Sequence, residues 1–456
     1  MDLDALLKKI EGLERENVAL RAENERLRRA LEEAQRSGKR QAAPFSRQAP
    51  KANPKKPGRK AGAGYGRRCR RPIPKKIEER LEAPLPGACP RCGGGVRETG
   101  VVWQYQTEIP EPKVTHIEFR IHVGQCRECG HGLQGRHPRQ TSDAVGGAAS
   151  QLGPRALALA IELNKRLGLP YGKTAAVLED AFGLHVSRGG LARAMARAAR
   201  KSEPTYQSLV TAVRQSRSVT PDETGWKVGG RLWWLWVFAS LEATVYSILP
   251  GRGFEQAASV LGAEFDGFLV RDGWSVYRQF DAAIHQTCLA HLLRRCREMI
   301  EVGPSAHTQL PRAVRALLLT GLELRDRRNE QTIGPRGAAV AAGRLEARLD
   351  RLLQPAYRIP SHRRLIGHLR RERDAVFTFL HCPGLDATNW RAEQAIRPSV
   401  VARKVWGGSR TPAGARTQSV LLSLIQTCRQ HGDTASPAFM RLLCSPRPVA
   451  LRLHPG

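Results

Sequence analysis

A hairpin pattern of aromatic and branched residues constrains the fold of this chain more than any other feature. The pattern runs from Ser218 to Ser240 and reads SVTPDETGWKVGGRLWWLWVFAS. Its Gly-Gly pair is typical of a tight turn, and the apolar run from Leu232 to Ala239 is typical of a buried strand. Asp222 and Glu223 lie in the first strand, where an apolar partner strand would hold a carboxylate as rigidly as a metal ligand requires. Taken alone, however, the stretch favours the simpler interpretation of an acidic residue at an exposed strand end.

The segments that follow extend this hairpin into a larger sheet. Ala243 to Leu249 has the pattern of a third strand, Phe254 to Leu261 that of a helix, and Gly267 to Val270 that of a strand ending just before Asp272. Strand, strand, strand, helix, strand is the order of the ribonuclease-H-like fold, in which the first and fourth strands are neighbours. The order therefore predicts that Asp222 and Asp272 face each other. Two carboxylates so placed bind a divalent cation through oxygen.

The charge of the chain limits the class of its partner. Its 456 residues carry a formal net charge of +32. A surplus of positive charge this large destabilises the chain by self-repulsion unless a polyanion neutralises it, and nucleic acid is the commonest such partner. A membrane surface is the weaker alternative, because no basic amphipathic helix or lipidation motif stands out. The charged opening residues lack the apolar segment of a signal peptide, and the ten scattered cysteines do not suggest a disulfide framework, so we expect a reducing cytoplasm.

Residues 1–36 have the heptad pattern of a coiled coil. Leucines recur every seven residues along one seam, and a companion seam includes two asparagines. The two seams consist of Leu6, Leu13, Leu20 and Leu27, and of Leu3, Ile10, Asn17, Asn24 and Leu31. A solvated single helix is the alternative. The regular heptads and the polar seam residues favour a short coiled coil, which makes the chain a homo-oligomer.

Residues 37–76 have the composition of a disordered basic linker. They contain no acidic residue, many basic ones, and Pro and Gly at positions that interrupt any helix. Arg59 and Lys60, in the motif KPGRKAG, are candidate DNA contacts. Arg59 could lie in a minor groove, but contact with phosphates without sequence preference is the favoured interpretation.

Residues 77–140 contain two CxxC knuckles separated by two alternating segments. The segments Val101 to Thr107 and Thr115 to Val123 are predicted to be strands. The knuckle cysteines are Cys89, Cys92, Cys126 and Cys129. Four thiolates that bracket a small sheet indicate a zinc ribbon with a tetrahedral Zn²⁺ site. A redox pair of dithiols is the alternative.

Residues 150–205 are predicted to form a helical DNA-binding domain. A helix from Thr174 to Phe182, a turn at Gly183 and a second helix capped by Ser187 have the layout of a helix-turn-helix. The second helix carries Arg188, Arg193 and Arg197 as candidate DNA contacts. An ordinary helical hairpin explains the pattern equally well.

The second half of the chain holds weaker signals. His285 to Glu301 is predicted to be a short strand running into a helix, on which Cys288 and His291 share a face and make a polar packing contact. A basic helical insertion spans about 303–385. After it, Asn389 or Thr388 can cap a helix that carries Glu393 and Arg397 one turn apart. Residues 431–456 form a C-terminal tail in which we find no chemistry.

Together these segments resemble the bacterial DDE transposases of the insertion-sequence 66 group. The resemblance covers nearly the whole chain in order: the coiled coil, the KPGRK linker, the CPRCGG and CRECG knuckles, and the segment GRHPRQTSDAVGGAASQLGPRALALA. The blocks TPDETGW, RDGWSVYRQF with CLAH, and TNWRAEQAIRPSVVARKVWGGSRT complete it. Each block is weak alone, whereas the whole series in this order is specific.

The resemblance implies a function for each matched residue. Asp222, Asp272 and Glu393 would hold two Mg²⁺ (or Mn²⁺) ions for cleavage and transfer of DNA strands, with His291 beside the site. Asn389, Arg397 and Arg403 would support the site or contact DNA. The implied partners are the double-stranded terminal repeats of the element, target DNA and a small accessory protein of the element, in the bacterial cytoplasm at the nucleoid.

The resemblance also implies the architecture. We expect a multidomain α+β protein with a ribonuclease-H-like α/β catalytic domain at 215–430, interrupted by the helical insertion. The coiled coil, the zinc ribbon and the helix-turn-helix-like helical domain precede it.

Two positions depart from the pattern. Many DDE recombinases carry a basic residue seven positions after the catalytic Glu, where this chain has Val400, so Arg397 or Arg403 would have to replace it. Gln394 stands where Arg commonly follows the Glu. Two other functions stay open: a DNA-binding regulator with a decayed catalytic fold, and a nuclease or resolvase that does not transfer strands.

Overall fold

The computed structural model describes residues 9, 12–14, 16–24, 26–27, 72–112, 114–146 and 150–453. The chain divides into two compact units, one of Met1–Phe45 with Ile117–Gly456 and the other of Ser46–His116. The predictions for Arg59, Lys60 and most of the linker lie outside the described residues, as do those for Leu3, Leu6, Ile10 and Leu31.

The predicted N-terminal helix is present wherever it is described. Residues 9, 12–14, 16–24 and 26–27 are all helical. Leu13, Leu20 and Leu27 are each more than half exposed, so the leucine seam of this chain is not covered by its own described residues.

The unit Ser46–His116 holds no helix or strand among residues 72–112 and 114–116. The predicted strand from Val101 to Thr107 is therefore wrong. Val101, Val102 and Trp103 are all exposed, and alternation predicts a strand only where one face can be buried against a partner.

The prediction of a strand from Thr115 to Val123 is also wrong, except at its last residue. Val123 begins β1 (Val123–Gln125), which pairs antiparallel with β2 (Gly132–Gln134). The two strands flank the second CxxC knuckle. The turn at that knuckle therefore brings the two strands of the local sheet together. The alternating residues before it do not contribute a strand, apart from Val123.

A mixed five-stranded sheet is the centre of the larger unit. Its strands are β3 (Ser218–Val228), β4 (Arg231–Ala239), β5 (Thr244–Leu249), β6 (Phe268–Arg271) and β7 (Ile284–Thr287). They lie side by side in the order β5-β4-β3-β6-β7. β3, β4 and β5 pair antiparallel, whereas β6 is parallel to both β3 and β7. The predicted succession of three strands, a helix and a fourth strand is confirmed.

The hairpin between β3 and β4 turns at Gly229 and Gly230. Their φ angles of 57° and 83° are the positive values that a two-residue turn of this kind requires, and only glycine adopts them without strain. The Gly-Gly pair thus fixes the register in which Asp222 lies opposite Val237 of β4.

The helices follow the predicted pattern closely in the first half of the unit. α1 (Pro154–Ile161) continues into a π-helical turn at Glu162–Arg166. The remaining helices are α2 (Tyr171–Phe182), α3 (Arg188–Arg214), α4 (Phe254–Leu261), α5 (Leu289–Val302), α6 (Gln309–Asn329), α7 (Pro335–Leu353), α8 (Pro360–Arg371), α9 (Thr378–His381), α10 (Trp390–Trp406), α11 (Pro412–Gln430) and α12 (Ser436–Cys444). No helix in the described part of the chain has the length and apolarity needed to cross a membrane.

Both faces of the sheet are buried. One face presents side chains such as Trp236 and Phe238 to a core shared with α1, α3, α4, α11 and α12. The opposite face, with Leu235 and Val237, packs against α10 and part of α11. This alternation along β4 follows from the two-residue period of a strand. It places α10 directly on the hairpin that carries Asp222.

The insertion is a helical subdomain with its own core. Buried leucines of α6, α7 and α8 pack together with Phe377 and Phe379. The sequence predicts a basic helical insertion but not this core, because the many arginines mask an ordinary amphipathic pattern.

The C-terminal segment is packed against the helical domain. Phe439 and Leu442 of α12 are buried in the main core. The Lys201 amine donates hydrogen bonds to the carbonyls of Leu443 (2.5 Å) and Ser445 (2.9 Å). The segment in which the sequence showed no chemistry thus helps to hold α3 in place.

Candidate active site

Asp222 lies in β3, and Asp272 lies at the matching position directly after the parallel strand β6. The pairing of β3 with β6 joins Ser218 to Phe268 and Val219 to Leu269. Asp222 and Asp272 each lie four residues beyond the first of these pairs, so continuation of the same register places them side by side. This is the arrangement that the strand order predicted.

Each of the two carboxylates is held by a backbone N–H group. Asp222 Oδ1 accepts a hydrogen bond from the N–H of Glu223 at 2.9 Å. Asp272 Oδ1 accepts one from the N–H of Trp274, also at 2.9 Å. Such bonds fix the orientation of a carboxylate without neutralising its charge.

The electrostatics of Asp222 indicate a cluster of negative charge. Burial, and then the charge of Glu223, raise the pKa of Asp222 to about 7, and the carboxylates of Asp272 and Glu393 contribute to the increase. The N–H bond from Glu223 acts in the opposite direction. Asp222 has no arginine or lysine partner within the described residues. The fold therefore brings Asp222, Asp272 and Glu393 within electrostatic reach of one another at the place where β6 ends.

Glu223 has a different environment from its neighbour. Arg252 donates to Glu223 Oε1 at 2.6 and 2.9 Å, and the hydroxyl of Tyr277 donates to Oε2. The Glu223 side chain is buried, and the Arg252 guanidinium also lies 3.9 Å from the centre of the Trp274 ring. Because its oxygens are already paired, Glu223 has a structural role. The sequence interpretation of an exposed acidic residue holds for neither carboxylate.

Glu393 reaches the site from the first turn of α10. The N–H of Glu393 bonds to the carbonyl of Asn389 at 3.1 Å, as in the start of a regular helix. The helix is fixed to β3 by Arg403, which donates to Thr224 Oγ1 at 2.8 Å and to the carbonyl of Gly225. Arg403, a predicted DNA contact, is thus engaged with the strand that carries Asp222.

His291 lies next to Glu393. Its Nε2 is 3.8 Å from Glu393 Oε1. Its Nδ1 is buried and has no hydrogen-bond partner among the described residues. The His291 ring thus lies near the acidic residue of α10, while the polar interaction of His291 with Cys288 is made by its backbone N–H.

A contact between Cys288 and Asn389 brings these two side chains together. The Cys288 thiol donates to Asn389 Oδ1 at 3.0 Å, and the Asn389 N–H donates to Cys288 Sγ at 3.3 Å. Cys288 precedes α5 and Asn389 precedes α10, so the contact joins the N-termini of the helices that carry His291 and Glu393.

Of the two predicted caps of α10, Asn389 rather than Thr388 occupies the N-cap position. Its side chain makes no capping bond, because the amide oxygen Oδ1 accepts from the Cys288 thiol instead. Nothing in the spacing of the two residues signals the contact, because they are 101 positions apart.

The strand end at Asp272 is also anchored to the insertion. Arg271 is buried, and its Nη1 donates to the carbonyl of Asp272 at 3.1 Å and to Glu372 Oε2 at 2.6 Å. Arg278 donates to the other oxygen of Glu372 at 3.0 Å. Glu372 follows α8, so a residue of the insertion holds the backbone at Asp272. Sequence reasoning missed this pair, because Arg271 belongs to the block RDGWSVYRQF but nothing in the sequence links it to Glu372, 101 positions away.

The donor set at the site suits a hard divalent cation. Three carboxylates provide oxygen ligands, and they repel one another in the absence of positive charge. Within the described residues, however, no group of three or more His, Cys, Asp or Glu side chains has its donor atoms placed to hold a metal ion. The chemistry of the residues fits Mg²⁺ or Mn²⁺, and coordination would require their side chains to converge further.

The two CxxC knuckles are tight turns. The N–H of Cys89 donates to the carbonyl of Gly94 at 2.9 Å, and the N–H of Cys126 donates to that of His131 at 2.8 Å. Hydrogen bonds from backbone N–H groups within each knuckle lower the pKa of Cys89 and of Cys126. Lowered thiol pKa values favour thiolates, the form that binds zinc. As no metal-binding group is found among the described residues, the zinc site formed with Cys92 and Cys129 stays a prediction.

The turn and the helix cap predicted between α2 and α3 are both present. Gly183 ends α2 with a φ of 63°, and the Ser187 side chain caps α3 by accepting from the N–H of Gly190 at 3.0 Å. Both details match the sequence prediction.

The candidate DNA contacts differ in exposure. Arg188, Arg193 and Arg397 are exposed, whereas Arg197 and Arg403 are half-buried. Arg197 donates to Gln151 Oε1 at 3.5 Å. Binding of DNA by these residues stays a prediction.

Two comparisons show which known proteins this chain is similar to. The family model described as "Transposase IS66 family" matches residues 149–417, which is more than half of the chain. Among curated proteins, y4qI of Sinorhizobium fredii, described as uncharacterized, is 27% identical over 297 residues. That similarity covers 58% of this chain and 54% of y4qI, so the chain matches about half the length of its relative.

Proposed function

Because the chain belongs to the IS66 family of transposases, we propose that it cuts the ends of an insertion sequence and joins the freed 3′ hydroxyls to target DNA. The observation that carries the proposal is the position of Asp222 beside Asp272 in the continued register of β3 and β6, with Glu393 within electrostatic reach. None of the three carboxylates forms an ion pair with an arginine or lysine among the described residues, which would be unfavourable in a purely structural role. They suit a site whose charge is completed by divalent cations.

The catalytic domain is proposed to be ribonuclease-H-like. The sheet order β5-β4-β3-β6-β7, with three antiparallel strands followed by two parallel ones, supports this assignment. So does the helix α10 that carries Glu393 against β3. We propose a domain of 215–430 with the helical subdomain of about 303–385 inserted before α10.

In the proposed mechanism, the protein supplies rigid ligands and a basic surface. Asp222 is fixed by the sheet, Asp272 by the N–H of Trp274, and Glu393 by the attachment of α10 to β3. Divalent cations bound by these carboxylates would activate the attacking oxygen and stabilise the leaving oxygen of the phosphodiester. His291, beside Glu393, would orient that carboxylate or hold a proton near it.

Double-stranded DNA is the proposed substrate and partner. The net charge of +32 supports binding to the phosphate backbone of terminal repeats and target. Arg188, Arg193 and Arg397 are exposed and available for such contacts. Arg197 and Arg403 would need to release their present partners, and Arg59 and Lys60 belong to the linker outside the described residues.

The N-terminal modules are proposed to assemble and position the enzyme. The leucine seam would pair two copies of the chain, and the four knuckle cysteines would bind Zn²⁺ in a small ribbon. A small accessory protein of the element and a location at the bacterial nucleoid complete the proposal.

A cleavage assay tests the catalytic assignment. A labelled duplex with the end of the encoding element is incubated with Mg²⁺ or Mn²⁺ and with the wild type, Asp222→Asn, Asp272→Asn or Glu393→Gln. Each substitution should lower cleavage roughly a thousandfold, because several kcal/mol of transition-state stabilisation are lost. DNA binding should change little. Asp281→Asn, in an exposed carboxylate nine residues after Asp272, should cleave like the wild type.

The assay separates the competing functions. A Glu393→Gln variant as active as the wild type would remove Glu393 from the site. Cleavage without joining would point to a nuclease or resolvase. If the wild type and all variants bind DNA but none cleaves it, even with the accessory protein added, the result would point to the DNA-binding regulator.

A further inference from the structure

A cleft lined by arginines lies between α5 and α8, outside the carboxylate site. Its volume is about 550 Å³. Its lining residues are Arg295, Pro360, Arg363, Arg364, Gly367 and Arg371. Neither the family match nor the motifs of the sequence assign a function to it.

The positive charge of the cleft is not neutralised by the protein. None of its four arginines has an ion-pair partner among the described residues, and α8 contains no acidic residue between Pro360 and Arg371. By contrast, Arg373, just after this helix, pairs with Asp350 at 2.7 Å. Burial, and also the charges of Arg364 and Arg371, lower the pKa of Arg295. Guanidinium groups left unpaired together at one site favour an anionic ligand.

The cleft adjoins the strand end that carries Asp272. Arg295 Nη1 lies 3.1 Å from His368 Nδ1. On the other side of the ring, His368 Nε2 would be 2.8 Å from a Cβ atom placed on Gly273. His368 therefore packs directly against the residue that follows Asp272. One side chain separates the arginines of the cleft from the backbone of the proposed active site.

The spacing of the arginines fits an extended ligand. Arg364 and Arg371 are seven residues apart on α8, a separation of about 10 Å along the helix axis. Successive phosphates of one DNA strand advance about 3.4 Å along the duplex axis, so this separation matches about three phosphates. Four guanidinium groups also exceed the charge of a single free phosphate ion.

We propose that this cleft binds the phosphodiester backbone of double-stranded DNA next to the phosphate that is cut. The proposal rests on the function proposed above for its location relative to the cut, but the binding itself does not depend on catalysis. The insertion would then have two roles: its Glu372 holds the backbone at Asp272, and its helix α8 binds the strand that enters the site.

The test compares two pairs of arginines within the same insertion. Binding of the full-length chain to a 30-base-pair duplex is measured without divalent cations at several salt concentrations, for the wild type, Arg364→Ala/Arg371→Ala and Arg344→Ala/Arg348→Ala. The control arginines are exposed on α7 and lie outside the cleft. We expect the cleft variant to bind at least about tenfold more weakly at physiological salt. The slope of log K against log salt should fall by about two, one unit for each arginine that no longer neutralises a phosphate.

The control pair and a conservative variant should both keep the wild-type slope. In Arg364→Lys/Arg371→Lys the charge remains, so a normal slope would show that loss of charge, rather than misfolding, explains the alanine result. An alanine variant with the wild-type affinity and slope would overturn the proposal. So would equal losses in the cleft and control pairs.

A second measurement tests the location of the binding site on the DNA and the class of ligand. Ethylation of single phosphates in an element end should weaken wild-type binding within about one helical turn of the cut, and this interference should disappear in the cleft variant. If inorganic phosphate binds the wild type but not the cleft variant, while the duplex binds both proteins equally, the cleft binds free phosphate and the DNA proposal is wrong.

These results are independent of the cleavage assay. Loss of slope in the cleft variant with no cleavage by wild type would leave the binding site standing and remove the proposed function. Normal cleavage by wild type, with no effect of the cleft substitutions on DNA binding, would support the proposed function and overturn the proposed binding site.

Discussion

Neighbouring residues of one strand acquire opposite roles from their surroundings. Asp222 and Glu223 are adjacent in β3, yet Glu223 is paired with Arg252 and Tyr277 whereas Asp222 meets other carboxylates. Burial and the neighbouring carboxylates raise the pKa of Asp222 to about 7, and its oxygens stay available for a cation. The sequence marks both acids as candidate metal ligands, and their surroundings in the fold favour Asp222.

Lys165 is a buried amine without an acidic partner among the described residues. It lies in the π-helical turn after α1, and its Nζ is 3.4 Å from the hydroxyl of Tyr171 and 5.9 Å from the centre of the Trp406 ring. Burial lowers its pKa to about 7. The folded protein therefore carries a group whose charged form is strongly disfavoured.

We predict that Lys165→Met stabilises the protein at pH 7. In the unfolded chain the amine titrates near its ordinary value of about 10.4, so the unfolded state binds more protons than the folded state between about pH 7 and 10.4. The penalty of burying Lys165 is thus complete below pH 7 and disappears as the pH rises toward 10.4. Removal of the amine should raise the free energy of unfolding by a few kcal/mol at pH 7, since one pKa unit corresponds to about 1.4 kcal/mol.

Urea unfolding followed by circular dichroism at pH 7 and pH 10 checks this prediction. The gain should shrink at the higher pH. Lys173→Met, in an exposed lysine of α2, should change stability little at either pH. A stability gain in Lys165→Met that does not depend on pH would contradict the argument.

At the scale of elements, the insertion and the catalytic sheet are joined by a buried ion pair. Glu372 follows α8 and its carboxylate is fully buried between Arg271 and Arg278. Arg271 in turn donates to the carbonyl of Asp272. The insertion is therefore part of the support of the active-site strand rather than an independent appendage.

We predict that Glu372→Gln destabilises the protein by about 3–5 kcal/mol, because it leaves the buried Arg271 guanidinium without a counter-charge. Thermal and urea unfolding of the full-length chain measure the loss. Glu298→Gln, in an exposed residue of α5, serves as the control and should have an effect within about 0.5 kcal/mol.

A double variant separates this explanation from a simple packing defect. Arg271→Met with Glu372→Gln removes both charges and should recover much of the stability lost in the single variant. Equal stability of the single and double variants would show that the loss arises from packing.

At the scale of the whole molecule, the exposed leucine seam is consistent with the proposed pairing of two chains. Leu13 and Leu20 are more than half exposed on the N-terminal helix, and Asn17 and Asn24 lie along the companion seam. A helix with such a seam gains stability when a second copy covers it. Pairing of two chains would bring two active sites to the two ends of an element.

We predict that Leu13→Ala/Leu20→Ala shifts the chain toward monomers, since each substitution removes apolar surface from the seam. Sedimentation of the full-length protein over a range of concentrations measures the shift. Val18→Ala is the matched control, because Val18 is also exposed and apolar on the same helix but lies outside both seams. An unchanged dimer fraction in the double leucine variant, or an equal shift in the control, would contradict pairing through this seam.

The sequence by itself determined the local elements of this protein. Strands β3 to β7, the helices α2 to α4, the Gly-Gly turn and the cap at Ser187 follow from short-range patterns, because periodicity and turn chemistry act over a few residues. The order of strands also predicted that Asp222 and Asp272 are neighbours, because two paired strands can adopt only a few registers. Alternation failed at Val101, where no partner surface among the described residues buries one face.

Only the tertiary structure decided which side chains meet. The contact of Cys288 with Asn389 and the pair of Arg271 with Glu372 each join residues 101 positions apart. Such contacts depend on how complete helices pack, and a buried polar group takes whichever partner the packing brings within hydrogen-bond distance. For the same reason the structure, and not the sequence, distinguishes the paired Glu223 from Asp222 among its carboxylates and gathers four arginines into one cleft beside the active site.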